Sequence, residues 1–137
     1  MTNLERLERF YALARDWYAQ PEGTPVPAEL SDLLDPALVI REPASLPYGG
    51  TFHGIEGHAD LSARTGAFWD FDQMVPAEYV CEGDVVVALN RMTGRVRSTG
   101  TPVDMPLIAV WRFRDGRILS ADIFPFDTHE ILLGAGL

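Results

Sequence analysis

The sequence predicts an α+β domain in which helices cover one face of a mixed, mostly antiparallel, curved sheet. Three observations support this class. The chain begins with an amphipathic helical pattern, strand-like segments separated by short turns occupy residues 76–125, and Asp115-Gly116 lies between the last two segments. Asp-Gly suits the positive backbone angles of a two-residue hairpin turn. Helices that precede such a run of strands are expected to pack together on one side of the sheet.

Length and charge restrict the class of protein. A chain of 137 residues with 47% hydrophobic content can bury one core and is too short for two, so residues 1–137 are expected to form a single domain. The net charge of −9, without a local cluster of Lys and Arg, argues against nucleic acid and anionic membranes as partners. Neither a secretory signal nor a run of about 20 apolar residues is apparent, so we expect a cytoplasmic location.

Cysteine and histidine usage indicates neither a disulfide nor a metal site. Cys81 is the single cysteine and follows Tyr79-Val80, a strand-like context in which a thiol is more often a small buried hydrophobe than a nucleophile. No Cys/His spacing resembles that of a zinc site. We therefore expect no metal and no cofactor.

The N-terminal segment predicts a long amphipathic helix. Thr2 and Glu5 have the spacing of a capping box, and apolar residues recur at helical spacing as far as Tyr18. A proline-rich stretch then ends the helix, and residues 28–34 allow only a short second helix before Asp35-Pro36.

The remaining elements follow from turn residues and apolar patterns. Residues 43–57 form a glycine-rich loop with aromatics, which either closes over a ligand or is a surface loop anchored by Tyr48 and Phe52. The predicted strands cover residues 37–42, 76–82, 85–93, 95–99 and the final hairpin, and further helices are predicted at residues 57–69 and in the tail up to Gly134.

The final hairpin, residues 103–127, carries a carboxylate on an apolar face. If the Asp115-Gly116 turn sets the register, Asp122 lies opposite Ala109 and shares its face with three large side chains, because opposed residues of a strand pair lie on one face. The full expected pairing is Phe113 with Ile118, Trp111 with Ser120, Ala109 with Asp122 and Leu107 with Phe124. Desolvation there would raise the pKa of Asp122 toward a range useful for proton transfer. The alternative is an ion pair with an arginine such as Arg91.

The other face of the predicted hairpin is also apolar. It is expected to carry Ile108, Val110, Ala121 and Ile123. Both faces of the hairpin are therefore expected to be covered.

Three segments together resemble the nuclear transport factor 2-like superfamily, and within it the SnoaL-like polyketide cyclases and ketosteroid isomerases. They are LERFYALARDWY, REPASLPYGGTFHGIEGHADL and VWRFRDGRILSADIFPFDTHEILL. The resemblance implies a cone of curved sheet closed by helices, with an interior pocket for a small hydrophobic molecule and frequently a homodimer. It also implies an acid/base enzyme of the isomerase, cyclase or hydrolase type that acts on a carbonyl-bearing or polyketide-like substrate.

Comparison with the ketosteroid isomerases supports Glu42 as a base and disfavours steroid isomerisation as the reaction. Glu42-Pro43 matches the carboxylate that serves as their base. Phe10 stands where they have an oxyanion-binding tyrosine, and Ala109 stands where they have a protonated carboxylic acid. Without donors at the developing oxyanion, several kcal/mol of transition-state stabilisation would be lost. Steroid isomerisation is therefore disfavoured.

Comparison with two other subfamilies draws attention to the last strand. Asp122 and Arg91 match an acid and an arginine of limonene epoxide hydrolases, but Thr93 occupies the position of their second acid. The cyclases use an acid near the last strand, which Asp122 or Asp127 could match. Epoxide hydrolysis is therefore doubtful, and the choice between the two acids stays open.

The catalytic candidates are Asp122, Glu42, Asp127 and His53. Glu42 could instead pair in solvent, Asp127 could be a helix N-cap, and His53, like His58 and His129, could be solvated on a loop. The candidates for ligand binding are Trp17, Tyr18, Tyr48, Phe52, Phe68, Trp69, Arg91, Trp111 and Phe124. The alternative function is a non-catalytic ligand-binding or dimerisation domain.

Overall fold

The computed structural model describes the backbone of residues 1–137 and all side chains except those of residues 73–75 and 77. The helices are α1 (Asn3–Tyr18), α2 (Ala28–Ser31), α3 (Gly54–Phe68) and α4 (Thr128–Gly134). The strands are β1 (Leu34–Glu42), β2 (Gly50–His53), β3 (Trp69–Glu82), β4 (Val85–Val96), β5 (Pro102–Arg114) and β6 (Arg117–Pro125).

The strands form one mixed sheet in the order β2-β1-β6-β5-β4-β3. β1 and β6 are parallel neighbours, and the other adjacent pairs are antiparallel. The predicted α+β class with a mixed, mostly antiparallel sheet is confirmed. None of the helices in the described part of the chain is long and apolar enough to cross a membrane.

Helix α1 begins at the predicted capping box. The Thr2 side chain accepts a hydrogen bond from the Glu5 backbone N–H at 3.1 Å, and the Glu5 carboxylate accepts one from the Thr2 backbone N–H. The helix buries Leu7, Phe10 and Ala14. These three side chains join the core that covers one face of the sheet.

Strict alternation of burial along β4 and β5 defines that covered face, which we call the interior face. On β4 the buried residues are Val86, Ala88, Asn90, Met92, Gly94 and Val96, and on β5 they are Val103, Met105, Leu107, Ala109, Trp111 and Phe113. The residues between them are partly or fully exposed and define the outer face. A period of two is the expected pattern for a sheet covered on one side.

The middle of the chain differs from its prediction. The expected loop over residues 43–57 contains strand β2 and the first turn of α3. The expected strand break at Gly94 is absent, since β4 continues to Val96. A Cβ at Gly94 would lie only 2.7 Å from the Asp70 carbonyl oxygen, so glycine here permits a close approach of β3. Cys81 is exposed on β3, an edge strand, so the prediction of a buried thiol is wrong.

The β5–β6 register is the main correction. The turn forms as predicted, with φ of 51° at Asp115 and 76° at Gly116, and Phe113 pairs with Ile118. A bulge then leaves Leu119 without a partner, so Val110 rather than Ala109 lies opposite Asp122. A slip of one residue reverses the face of every later side chain. Asp122 and Phe124 therefore lie on the outer face, while Ala121 and Ile123 lie on the interior face.

Candidate functional site

Glu42 is an interior-facing carboxyl at the end of β1. It follows Leu38 and Ile40 at alternate positions of β1, both of which are buried, so it continues the interior face of that strand. Among the described side chains none forms an ion pair with it. Burial raises the pKa of Glu42 to about 8. Burial, followed by the charge of Glu42, raises the pKa of the nearby Tyr48 hydroxyl. Glu42 can therefore exchange a proton near neutral pH.

Glu42 also borders an open cleft at the carboxyl ends of β1 and β6. The cleft has a volume of about 490 Å³, within the range of small-molecule sites. It is lined by Arg41, Glu42, Pro43, Asp122, Ile123 and Phe124. The cleft therefore brings Glu42 next to the outer-face residues Asp122 and Phe124.

A buried polar cluster lies where α1 meets β4 and β5. Trp111 Nε1 donates a hydrogen bond to the Tyr11 hydroxyl oxygen at 3.0 Å, and the Asn90 side chain lies near this hydroxyl. Burial raises the pKa of Tyr11, so the hydroxyl stays protonated. Asn90 is 5% exposed, and within the described part of the chain its Oδ1 has no hydrogen-bond partner. Because the Tyr11 oxygen already accepts from Trp111, its proton is available to a ligand oxygen.

Neither Tyr11 nor Asn90 was among the sequence-based candidates. Tyr11 falls on the apolar stripe of α1 and reads there as a core residue. The sequence pattern of β4 could have pointed to Asn90. It is a polar residue at one of the alternate positions that are buried, between Ala88 and Met92. A buried amide of this kind normally has hydrogen-bond partners or a functional role.

His58 belongs to the interior of the protein. Because α3 begins at Gly54, His58 lies within the helix and is 3% exposed. Its ring stacks on Trp17 at 5.6 Å between centroids and lies 5.6 Å from Phe10. Burial lowers the pKa of His58 to about 4, so the imidazole is neutral at pH 7. Its Nε2 lies 3.3 Å from the Tyr18 hydroxyl, and its Nδ1 has no hydrogen-bond partner among the side chains that the structure describes.

Asp122 occupies an ion-pair cluster on the outer face. Both of its oxygens interact with Arg41, with Oδ2 3.0 Å from Nη2, and Oδ2 lies 3.3 Å from Arg112 Nη1. The hydrogen bond to Asp122 raises the pKa of Arg41. The expected position of Asp122 beside Trp111 and Leu107 is wrong because of the bulge. The alternative of an arginine partner is confirmed, although the partners are Arg41 and Arg112 instead of Arg91.

Four other candidates lie away from the interior. Arg91 is on the outer face and pairs with Asp104 at 2.7 Å. Phe124 is outward-facing and 55% exposed. Asp127 caps α4 by accepting a hydrogen bond from the Glu130 backbone N–H at 3.2 Å, which confirms the N-cap alternative. His53 is exposed at the end of β2.

The remaining aromatic candidates fall into separate groups. Tyr48, Phe68 and Trp69 form one cluster, with neighbouring centroids 4.9 to 5.0 Å apart. Trp111 packs against Phe10 and Tyr11 in a second group. Three further candidates lie at the margins. Phe52 is buried under Arg64, and Trp17 Nε1 donates a hydrogen bond to the Thr24 carbonyl oxygen. Tyr18 is exposed.

The fold defines the class of protein. An NTF2-like protein from Burkholderia thailandensis E264 superposes with a TM-score of 0.82 at 23% identity over 98% of each chain. TerC co-crystallised with polyporic acid superposes with a TM-score of 0.78 at 21% identity, again over 98% of each chain. A protein with a ketosteroid isomerase-like fold from Catenulispora acidiphila DSM 44928, in complex with trimethylamine, has a TM-score of 0.68 at 24% identity over 91% of this chain and 92% of its own. The protein therefore has the nuclear transport factor 2-like fold.

The family is more specific than the fold. The SnoaL-like domain family matches residues 7–121, which is most of the chain. The protein therefore belongs to the SnoaL-like domain family, as its sequence segments indicated. No curated protein is significantly similar to the chain.

Proposed function

We propose that the protein is a cofactor-independent acid/base enzyme in which Glu42 transfers a proton to or from a small carbonyl compound. The observation that carries the proposal is the Glu42 carboxyl itself. It faces the interior, has no ion-pair partner among the described side chains, and has a pKa raised to about 8 by burial. Perturbed carboxyls that border a cleft are characteristic of acid/base sites.

The proposed reaction is proton transfer next to a carbonyl group. The Glu42 carboxylate removes a proton from the carbon beside the carbonyl, and the electron pair moves onto the carbonyl oxygen. The Tyr11 hydroxyl, held by Trp111, donates a hydrogen bond to that oxygen. Tyr11 thus supplies a donor that the Phe10 and Ala109 positions lack. The protonated Glu42 then returns the proton to the same or another carbon.

A small organic ligand is consistent with the structurally similar proteins. TerC was co-crystallised with polyporic acid, and the Catenulispora acidiphila protein contains trimethylamine. The apolar and aromatic side chains of the interior face favour a hydrophobic substrate with few polar groups. We therefore propose a cyclic or polyketide-like ketone as the substrate class.

Exchange of α-protons tests this proposal without knowledge of the natural substrate. The probe is 1-tetralone in D2O, with loss of its α-proton signal followed by NMR. We expect catalysed exchange that Glu42→Gln slows by about 10² to 10⁴-fold and Tyr11→Phe slows by about 10² to 10³-fold. The matched control is Glu22→Gln, which makes the same change at an exposed position. Exchange at the wild-type rate in Glu42→Gln would show the proposal to be wrong.

The second candidate is a non-catalytic ligand-binding domain. The observation in its favour is that Asp122, one of the two acids that could match the cyclase acid, is engaged by two arginines on the outer face. A binding domain would shift the protein NMR signals on addition of 1-tetralone without catalysing exchange. The exchange experiment therefore separates the two candidates.

We also propose a homodimer formed through the outer face of β4 and β5. Its centre consists of the partly exposed apolar side chains Val85, Val87, Leu89, Ile108 and Val110. Val80 on the neighbouring β3 is 57% exposed and lines a shallow groove with Val85 and Val87. A continuous apolar surface of this kind is characteristic of protein interfaces.

A further inference from the structure

We propose that His58 is a fixed hydrogen-bond acceptor for a ligand hydroxyl, and that Tyr18 and Ser62 hold its imidazole in one tautomer. This inference deepens the proposed function. It rests on that function because it takes the ligand to bind at the interior face. It specifies a substrate that carries a hydroxyl donor on an aromatic or polycyclic framework in addition to its carbonyl group.

The Tyr18 hydroxyl, the Ser62 hydroxyl and the His58 carbonyl form a series of polar contacts with the His58 ring. Its Nε2 lies 3.3 Å from the Tyr18 hydroxyl, and that hydroxyl lies 3.3 Å from Ser62 Oγ. Ser62 Oγ lies 2.8 Å from the His58 carbonyl oxygen one helical turn earlier. The series of contacts therefore begins at the ring of His58 and ends at its backbone carbonyl.

The single proton of Ser62 sets the direction of this series of contacts. The contact to the His58 carbonyl is the shorter of its two, and a carbonyl can only accept, so Ser62 donates there. Ser62 Oγ is then the acceptor for the Tyr18 hydroxyl proton. The Tyr18 oxygen in turn accepts from Nε2–H of His58. This direction leaves Nδ1 as the unprotonated nitrogen, with its lone pair available.

The surroundings of Nδ1 make that lone pair an unused binding group. The atom is buried and has no hydrogen-bond partner among the described residues. The imidazole contacts Phe10 and Trp17, and Phe10 also contacts Trp111 of the sheet at 5.3 Å. His58 thus lies where the helices meet the interior face, between aromatic rings. A buried acceptor without a partner is costly, and a ligand donor removes that cost.

The chemistry of this acceptor selects the ligand group. A neutral imidazole nitrogen with a free lone pair accepts from O–H or N–H and gives no hydrogen bond to a carbonyl. The aromatic neighbours favour a flat ring beside the donor. A phenolic hydroxyl meets both conditions, so a hydroxylated aromatic ring is the group that the site fits.

The tautomer is tested first in the ligand-free protein. Long-range ¹H–¹⁵N correlation spectra of ¹⁵N-histidine-labelled protein identify which nitrogen carries the proton. We expect Nε2–H and an unprotonated Nδ1 for His58 in the wild type, and a mixture of tautomers in Tyr18→Phe. Protonation at Nδ1 in the wild type would overturn the inference.

Hydroxyl recognition is tested with a pair of matched probes. 1-Naphthol and 1-methylnaphthalene have similar shapes and differ in a hydroxyl donor, and their affinities are measured by fluorescence titration. We expect the wild type to prefer 1-naphthol by about fivefold to tenfold, as one net hydrogen bond allows. The preference should disappear in His58→Phe and decrease in Tyr18→Phe, with Glu22→Gln as the control.

Two results would overturn hydroxyl recognition by His58. One is the absence of a 1-naphthol preference in the wild type, and the other is an unchanged preference in a folded His58→Phe. Tyr18→Phe keeps the aromatic ring and provides the decisive variant if His58→Phe does not fold. Neither measurement involves turnover, so failure of this inference is distinguishable from failure of Glu42 catalysis.

Discussion

At the scale of single residues, the contrast between Glu42 and Asp122 shows how environment assigns roles to carboxyls. Glu42 is partly buried, has no ion-pair partner among the described side chains, and has a pKa raised to about 8 by burial. Asp122 is surrounded by the guanidinium groups of Arg41 and Arg112. The first carboxyl is ready to exchange a proton near neutral pH, whereas the oxygens of the second are occupied by hydrogen-bond donors.

The raised pKa of Glu42 predicts how stability depends on pH. The folded protein keeps the Glu42 proton up to pH about 8, whereas the unfolded chain loses it near 4.5. Between these values the native state binds more protons, so the free energy of unfolding decreases as pH rises. We expect Glu42→Gln to reduce this decrease, measured by urea denaturation across the range. An identical pH dependence in wild type and variant would contradict the burial of Glu42.

The same pKa predicts the pH dependence of catalysis. If the Glu42 carboxylate is the base, 1-tetralone exchange should rise with pH and reach half of its maximum near pH 8. The rate is measured by NMR at constant ionic strength and corrected for buffer catalysis. A profile with its midpoint near pH 4.5 would indicate a solvated carboxyl instead.

At the scale of secondary-structure elements, the bulge at Leu119 decides which side chains the last strand presents to the interior. Ile118 N–H donates to the Leu33 carbonyl oxygen at 2.8 Å, which joins the start of β6 to the segment before β1. The pairing of β1 with β6 is also interrupted between Leu34 and Val39, a stretch that contains Pro36. The two irregularities allow the parallel pair to form with Ala121 buried and Asp122 outward.

Deletion of Leu119 is expected to abolish stable folding. Without the bulged residue, the antiparallel register would turn Asp122 toward the core and Ala121 outward. Leu119→Ala retains the extra residue and should reduce stability only slightly. Circular dichroism and chemical denaturation provide the measurement. A deletion variant as stable as Leu119→Ala would show that the bulge does not hold the register.

The outer-face ion pairs differ in their expected effect on stability. Asp122 is mostly buried and interacts with two arginines, whereas Asp104 and its partner Arg91 are both exposed. We expect Asp122→Asn to lower the denaturation midpoint clearly and Asp104→Asn to change it little, since exposed pairs contribute little. Equal midpoints for the two variants would show that the Asp122 cluster is not structurally important.

At the scale of the whole molecule, the sheet separates two surfaces for which we propose different roles. Its interior face, with α1 and α3, holds Glu42, the Tyr11 cluster and His58. Its outer face holds the Asp122 ion pairs and the apolar side chains of the proposed dimer interface. Catalysis and association are therefore assigned to opposite sides of one sheet.

A charge at the centre of the outer face tests the proposed dimer. Leu89 and Ile108 pair across β4 and β5, so Leu89→Glu would place a carboxylate in the interface of an already acidic protein. We expect a wild-type dimer and a monomeric variant by light scattering at micromolar concentration. Leu133→Glu alters an exposed apolar residue of α4 instead of the sheet and is the control. A monomeric wild type would contradict the proposal.

Local sequence patterns determined much of the secondary structure. The capping box of α1, the Asp115-Gly116 turn and the Asp127 cap of α4 each depend on residues close in the chain, and all three were recognisable. The resemblance of three segments was sufficient for the fold and the family. Strand β2 escaped prediction because Gly50–His53 is short and depends on pairing with β1.

Tertiary structure decided the site. Whether Asp122 faces the interior depends on one bulged residue of β6, a strand that pairs with β5 and also with β1, more than 70 residues away along the chain. His58, Tyr18 and Tyr11 gained their roles only when α1 and α3 packed on the sheet. The sequence by itself determined most of the elements, the family and Glu42 as a candidate base. Only long-range packing decided which polar groups are buried together, because desolvation and hydrogen-bond partners are properties of the folded neighbourhood.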